Sequence, residues 1–261
     1  MPLDKEYLEH KVYDRIDEMI QFYANLSISV FRFAKLGTEA FWNIDSYVYS
    51  SSKGTLDSIK MVLKNGHIND SYSLLRKYYD SSIINIYSIL YLTDNIGLEN
   101  FIVDKINDWL KGKEKLPYYR IMSQYIRNST KLKGINDLLY KDDRYKKIRE
   151  RCNDHTHYNF YQNVLLNDNE IILSYRMDAL EQFAFDIEQV FILHLSYIFY
   201  LNEHYMMSSD YTDSLDIGVP PIEGSQYFVE PFVQKTFYKF IKENRSDIAA
   251  EIKSNTQMKI E

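Results

Sequence analysis

The sequence predicts an all-α fold: an antiparallel helical bundle with a short C-terminal helical appendage. The first observation is periodicity, because apolar residues recur at steps of three and four along several long stretches. The second is composition, because 8 glycines and 5 prolines in 261 residues leave few turn formers for a β architecture. The third is spacing, because only short breaks separate the long stretches, which places consecutive helices antiparallel in a bundle.

The first part of the chain is expected to form three long helices. Apolar residues at helical spacing predict all three. An interruption of the second helix is expected in the serine-rich run at residues 50–54. Asn65-Gly66 ends that helix, because glycine suits the left-handed conformation after a helix end. The three predicted helices span residues 6–36, 38–64 and 69–92.

The middle of the chain predicts shorter helices, and a very apolar helix follows them. Pro117 suits the first turn of a helix. Asn167-Asp168-Asn169 is typical of a turn between two apolar runs and predicts a small hairpin within residues 159–174. The most apolar helix is expected at the centre of the bundle. The predicted helices span residues 98–110, 117–128, 131–140, 142–155, 175–206, 227–242 and 247–253.

These elements divide the chain into a helical bundle, a linker and a C-terminal segment. The bundle covers residues 1–207. The linker, residues 208–226, contains Pro220-Pro221, and the helical segment 227–261 follows it. We expect the C-terminal segment to dock on the bundle or on a protein partner.

The composition predicts a soluble, cytoplasmic protein without a membrane span. The N-terminus is charged and lacks the apolar core of a signal peptide. The most apolar stretch contains Asp186, Glu188 and His194, so a buried helix is expected there rather than a membrane span. Cys152 is the single cysteine, so no disulfide can form within the chain.

Charge is distributed unevenly along the chain. The net charge of −6 argues against unspecific coating of nucleic acid. Residues 120–151 nevertheless hold ten Lys and Arg residues and four Asp and Glu residues. This basic run predicts either a solvated helix face or a surface that attracts a phosphate-bearing substrate.

A cluster of polar residues, RERCNDHTH at residues 149–157, overlaps the end of the basic run. Helical spacing divides it into two faces, each with an arginine and a histidine. A histidine can take a proton from a ribose 2′-hydroxyl, and an arginine can hold the scissile phosphate, so this pairing suits RNA cleavage without a metal. A symmetric dimer could supply the second imidazole. The candidate residues are Arg149, Arg151, Asn153, Asp154, His155 and His157.

The cluster resembles the Arg-x4-6-His motif of HEPN domains. Arg151 and His157 fit this motif, and so do Arg149 and His155. The resemblance covers roughly residues 50–206. It implies a helical bundle that forms a homodimer and acts on RNA as a metal-independent endoribonuclease of a bacterial defence or toxin system.

A second segment carries the same resemblance. KNGHINDSYSLLRKYYDSSI is similar to a helix of some HEPN-like bacterial proteins, with Gly66, Arg76 and Asp80 at the characteristic positions. Arg76 and Asp80 stand one turn apart on the predicted helix, so their side chains could pair. This helix is expected to be a neighbour of the cluster.

The resemblance implies roles for the cluster residues and also shows a departure from the family pattern. Glu150 and Cys152 directly follow the two motif arginines, where active members usually carry Asn, Asp or His. Asn153 and Asp154 come later and are the candidates to substitute for that residue. The implied roles are a general base at His157 or His155, a phosphate clamp at Arg151 or Arg149, orienting groups at Asn153 and Asp154, and supporting groups at Arg76 and Asp80.

Other interpretations of the same residues stay open. A non-catalytic helical module that binds a protein or a nucleotide-like ligand would show the cluster splayed by its helix. Alternatively, His155 and Asp154 stabilise a helix end. The His155-x-His157 spacing also occurs in metal sites, but no third ligand is marked, so no metal and no cofactor are predicted. Cys152 is expected to be a small packed residue rather than a nucleophile, and His194 a core histidine.

Overall fold

The structure, a computed structural model, describes residues 3–33, 37–38, 43–97 and 100–261. It is all-α, as the sequence predicts, and the described residues form two isolated bridges but no β-strand. The helices pack around one cluster of buried apolar side chains. The predicted helices 6–36, 38–64 and 98–110 extend in part outside the described residues.

Within the described ranges, four helices belong to the N-terminal half of the bundle. They are α1 (Lys5–Leu8), α2 (Val12–Ser29), α3 (Ile44–Lys64) and α4 (Ile68–Asn95). The single helix predicted for residues 6–36 is divided, because α1 is one short turn and the chain turns again before α2 begins. The Asp4 carboxylate caps α1 by accepting the Tyr7 N–H at 2.9 Å. A 3-10 turn, Val30–Arg32, follows α2.

The interruption predicted at residues 50–54 is wrong, because α3 is continuous through them. α3 packs on both α2 and α4, and its buried residues include Ser52 and Thr55. The Thr55 hydroxyl donates to the Ser51 carbonyl at 3.1 Å, so it is satisfied within the helix. Tertiary packing therefore outweighs the low helix propensity of the serine-rich run.

Shorter helices follow in the middle of the chain. They are α5 (Asp104–Leu110), α6 (Tyr119–Asn128), α7 (Lys133–Leu139), α8 (Arg144–Thr156) and α9 (Tyr161–Leu165). The hairpin predicted within residues 159–174 is wrong, and α9 and irregular chain occupy this segment. The Arg176 guanidinium donates to the carbonyls of Asp168 at 2.5 Å and Ile171 at 3.2 Å. The Arg176 side chain thus satisfies one carbonyl of the predicted turn and one of the run that follows it.

The most apolar helix, α10 (Arg176–Leu201), is the long helix on which much of the bundle packs. It contacts α2, α4, α7 and α8. By length and composition alone, α10 is apolar enough to cross a membrane. However, 72% of its apolar window is buried inside the protein, so the other helices already cover most of that surface.

The C-terminal segment is helical and packs on the bundle. Helix α11 (Ser209–Asp216) precedes this segment. The segment itself contains α12 (Pro231–Thr236), which a π-helical turn (Phe237–Lys242) extends, and α13 (Ser246–Asn255). α11 lies within the predicted linker. Phe237, Phe240 and Ile252 belong to the main apolar core, and the Phe240 ring packs edge-to-face on Phe191 of α10 at 4.9 Å. Apolar contacts therefore hold this segment on the bundle.

A chain of hydrogen bonds crosses the core beside α10. His194 is fully buried, accepts from the Tyr23 hydroxyl at 2.6 Å and donates to the Asn85 side-chain oxygen at 2.9 Å. The Asn85 amide donates in turn to the Asp45 carboxylate at 3.0 Å. Burial lowers the pKa of His194 to about 3, against a smaller raising effect of Asp45, so the ring is neutral and serves as both donor and acceptor. The prediction that His194 is a core histidine is confirmed.

Candidate functional site

The predicted cluster lies on α8 and at its C-terminal end, where α8 contacts α4 and α10. Residues further along α4 pair with residues earlier in α8, so the two helices run antiparallel. Polar side chains meet along this contact, which we call the polar seam. The seam pairs Ser73 with Thr156, Arg76 with Asn153, and Asp80 with Arg149. The predicted neighbour of the cluster is therefore beside it.

Asp80 holds two arginines in the polar seam. Its Oδ2 accepts from Arg76 Nε at 3.0 Å, and its Oδ1 accepts from Arg149 Nη1. Arg76 Nη1 also donates to Asn153 Oδ1. The Arg149 guanidinium stacks on the Tyr119 ring, 3.1 Å from the ring centroid, and this side chain is only 16% exposed. A carboxylate and an aromatic ring thus fix Arg149 from two sides.

Arg151 reaches α10 instead of the polar seam. Its Nε and Nη2 donate to the two carboxylate oxygens of Asp186 at 2.7 and 2.5 Å, which makes a bidentate pair. Asp186 is fully buried and also accepts from the Tyr72 hydroxyl at 3.1 Å and the Gln182 amide at 3.0 Å. A buried carboxylate needs a counter-charge, so Arg151 has a structural role in this arrangement.

His155 is turned into the core. Its ring stacks on the Tyr72 ring, with centroids 4.0 Å apart, and its Nδ1 donates to the Asn69 side-chain oxygen at 2.9 Å. Burial lowers the pKa of His155 to about 4; Asp154 opposes this shift and Arg151 adds to it. The ring is therefore neutral at pH 7, and its buried position does not suit a general base that must reach a substrate.

His157 is exposed and directly follows α8. Its backbone N–H donates to the Asn153 carbonyl at 3.0 Å, but its ring forms no hydrogen bond or ion pair with the described residues. Tyr158 has a φ of 50°, a left-handed conformation that is uncommon for a bulky residue. The chain therefore turns sharply at the end of α8 and leaves the His157 ring in solvent.

The two histidines of the His155-x-His157 pair do not share a site, because one ring is buried and the other is exposed. Across the described ranges, no group of three or more His, Cys, Asp or Glu side chains is arranged to hold a metal ion. The His-x-His spacing places both rings on one side of a strand. On a helix it directs them to nearly opposite sides, which separates the two rings here.

Cys152 and Asp154 of the cluster also have structural roles. Cys152 is buried, and burial raises the pKa of its thiol to about 12, so it is protonated at neutral pH and does not act as a thiolate nucleophile. The interpretation of Cys152 as a packed residue is confirmed. The Asp154 carboxylate accepts from the Asn159 amide at 2.8 Å, so it links α8 to the turn that follows.

The arginines of the site line three different cavities. Arg151 lines a cavity of about 710 Å³ together with charged residues of both signs. Arg149 lines a cavity of about 260 Å³. Arg76 and Asp80 line a cavity of about 740 Å³ between α3, α4 and α5. Neither cluster histidine lines any of these three cavities, so none of them contains an Arg–His pair.

Sequence reasoning did not find the residues that hold the cluster in place. Asp186 carried a signal, since a carboxylate within an apolar helix needs a cation nearby, but the sequence does not indicate which cation. Tyr72 lies in the apolar stripe of its helix, and that position gives no sign that its ring stacks on His155. Tyr119 had no signal at all, because its contact with Arg149 depends on how α6 packs beside α8.

Comparisons with known proteins do not assign a family to the chain. A scan against protein-family models, a search of curated proteins and a search of solved structures each found no match. The resemblance to HEPN domains stays a prediction, and the function has to be argued from the site itself.

Asp186→Asn should destabilise the fold, because it leaves the Arg151 guanidinium without its counter-charge. We expect the free energy of unfolding to fall by about 2 kcal/mol, less than for a fully buried pair because Arg151 is partly exposed. Chemical denaturation followed by circular dichroism measures this change. Asp178→Asn, at an exposed position of the same helix, is the matched control and should cost less than about 0.5 kcal/mol. Equal losses for the two variants would contradict the role of the ion pair.

Proposed function

We propose that the chain is a HEPN-like helical module that binds a nucleotide-like ligand, and that one chain alone does not cleave RNA. The supporting observation is that α8 directs the two arginines of the cluster to different neighbouring helices. Arg149 pairs with Asp80, and Arg151 pairs with Asp186, on two different neighbouring helices. The cluster histidines line neither arginine's cavity. Catalysis would require a base and a phosphate clamp to converge on one reacting group.

The cavity beside the polar seam is the proposed ligand site. Its volume of about 740 Å³ is within the range of small-molecule sites. Tyr47 of α3 and Trp109 of α5 supply aromatic rings, and Ser73, Arg76 and Lys77 of α4 supply polar groups. In this proposal the base of the ligand stacks on the aromatic side, and its phosphate lies against the cations of α4.

The charge of the α4 side favours a phosphate. Asp80 is one carboxylate shared by two guanidinium groups, those of Arg76 and Arg149. Lys77 is exposed and forms no ion pair with any residue in the described ranges. An excess of positive charge therefore remains beside the cavity, which attracts an anionic ligand.

Lys77→Ala should weaken nucleotide binding, because it removes a lysine of the cavity wall that has no ion-pair partner among the described residues. Adenosine 5′-monophosphate is titrated into the full chain, and tryptophan fluorescence reports its entry beside Trp109. We expect Kd to rise about 10-fold, as for loss of a charge-assisted hydrogen bond.

Lys253→Ala is the matched control, because Lys253 is an exposed lysine on α13 outside this cavity. Its Kd should stay within about twofold of the unmodified chain, as expected of a remote surface change. No saturable fluorescence change in the unmodified chain, or equal affinities of the two variants, would refute the proposed site.

A metal-independent endoribonuclease assembled from two chains is the second candidate, and His157 is the observation that favours it. The ring is exposed without a partner among the described residues, and the exposed side chains of Tyr158, Phe160 and Tyr161 follow it. In this candidate, a second copy packs on the aromatic surface and brings a symmetry-related cluster against His157. His157 then acts as general base and an arginine of the other copy as phosphate clamp.

Incubation of mixed RNA with the full chain in chelator distinguishes the two candidates. The binding proposal predicts no cleavage. The two-chain enzyme predicts cleavage that falls at least about 100-fold in His157→Ala, because a general base is lost. His155→Ala is the comparison, since His155 is buried and contacts Tyr72 instead of solvent. Cleavage that depends on His157 would overturn the binding-only proposal. Cleavage unaffected by both substitutions would exclude the two-chain mechanism with His157 as general base.

A further inference from the structure

A smaller cavity, of about 260 Å³, is lined by residues of α4, α6 and α8 and of the loop before α8. We call it the tyrosine cavity. Its wall includes Tyr79, Tyr119, Tyr140, Tyr145, Arg127 and Arg149. It shares no lining residue with the larger cavity beside the polar seam, so it is a separate candidate site.

Two guanidinium groups lie over tyrosine rings in this wall. Arg149 is 3.1 Å from the Tyr119 ring centroid, and Arg127 is 4.5 Å from the Tyr140 ring centroid. Arg127 is exposed and has no ion-pair partner in the described ranges. Arg149 uses Nη1 for Asp80, and its Nε and Nη2 make no further hydrogen bond with the described residues. Both groups therefore keep N–H donors for an oxyanion.

Tyr145 supplies a polar atom that the fold leaves unsatisfied. The residue is 2% exposed, and its hydroxyl has no hydrogen-bond partner in the part of the chain that the structure describes. Burial raises the pKa of Tyr145, so the phenol keeps its proton and is available as a donor. Buried polar groups without a partner are rare in folded proteins. A ligand oxygen in the cavity would accept this hydrogen bond.

The charges around the tyrosine cavity also favour an anion. Lys146 is an exposed cation in the lining, again without an ion-pair partner among the described residues. Two carboxylates are present, but Asp142 already accepts from the backbone N–H of Arg144 at 3.0 Å and from its guanidinium at 3.1 Å. Arg127 and Lys146 therefore face one remaining carboxylate, that of Asp143.

We propose that the tyrosine cavity binds a phosphate group, either as inorganic phosphate or as the monoester of a small molecule. The guanidinium groups of Arg127 and Arg149 hold the phosphate oxygens, and the Tyr145 hydroxyl donates to one of them. The volume of about 260 Å³ suits a phosphate or a sugar phosphate better than a larger ligand. This site does not depend on the proposed nucleotide-binding function.

Isothermal titration calorimetry of the full chain with inorganic phosphate, ribose 5-phosphate and unphosphorylated ribose tests the proposal. We expect saturable binding of the phosphorylated probes and none of ribose. Tighter binding of ribose 5-phosphate identifies a monoester as the ligand, and equal affinity identifies free phosphate; both results support the site.

Substitutions inside and outside the lining test whether the phosphate binds in the tyrosine cavity. Arg127→Ala should weaken binding about 10-fold, as for loss of an ionic contact, and Tyr145→Phe about fivefold, as for loss of one hydrogen bond from an uncharged donor. Arg120→Ala removes the same charge from the same helix outside the lining and should change the affinity less than about twofold. Lys77→Ala should leave phosphate binding intact, which separates this site from the nucleotide site.

Two results would overturn the phosphate site. One is that neither phosphorylated probe shows saturable binding at concentrations up to about 10 mM, which would put Kd above the millimolar range. The other is an affinity unchanged by both Arg127→Ala and Tyr145→Phe. Thermal unfolding of Tyr145→Phe confirms that the variant is folded, since the change removes one hydroxyl and keeps the ring.

Discussion

Two ion pairs set the orientation of α8 and, with it, the direction of each residue in the cluster. Arg149 and Arg151 are two positions apart, so their side chains leave the helix about 200° apart. Arg149 pairs with Asp80 of α4, and Arg151 pairs with the buried Asp186 of α10. Rotation of α8 about its axis would break a pair and leave Asp186 buried without its counter-charge, which is strongly unfavourable.

This orientation separates residues that are close in sequence. Cys152 and His155 enter the core, Asn153 joins the polar seam, and His157 lies in solvent beyond the last helical turn. Catalysis needs a general base and a phosphate clamp placed around one reacting group, whereas binding of a phosphate needs only a surface with excess positive charge. The polar seam and the tyrosine cavity both hold cationic side chains within one chain, which suits binding of an anion.

The positions of the helices were predictable to a large extent, because apolar stripes continue over many turns in α4 and α10. The wrong predictions concern two segments whose conformation depends on contacts with residues outside the segment. At residues 50–54, packing on two neighbouring helices keeps a serine-rich run helical. Within residues 159–174, the guanidinium of Arg176, just beyond the segment, binds the carbonyls of Asp168 and Ile171, and the segment is irregular there instead of forming a hairpin.

The location of the cluster on a helix beside Arg76 and Asp80 was also predictable, from helical spacing and motif resemblance. The residues that surround the cluster were not predictable. Whether Arg151 is free depends on Asp186, and whether His155 is exposed depends on Tyr72, and both partners lie on other helices. Sequence spacing reports which residues share a face of one helix, but it does not report what packs against that face.

The most direct test of this account is an NMR titration of the His155 ring, because its burial follows from the orientation of α8. We predict a pKa of about 4, so the ring stays neutral from pH 8 down to about 5. The unfolded chain, with a pKa near 6.5, binds this proton first, so the ring's contribution to stability is present above pH 6.5 and is lost as the pH falls toward 4. A His155 ring that titrates near 6.5 would contradict the account, because it would place the imidazole in solvent and available to a substrate.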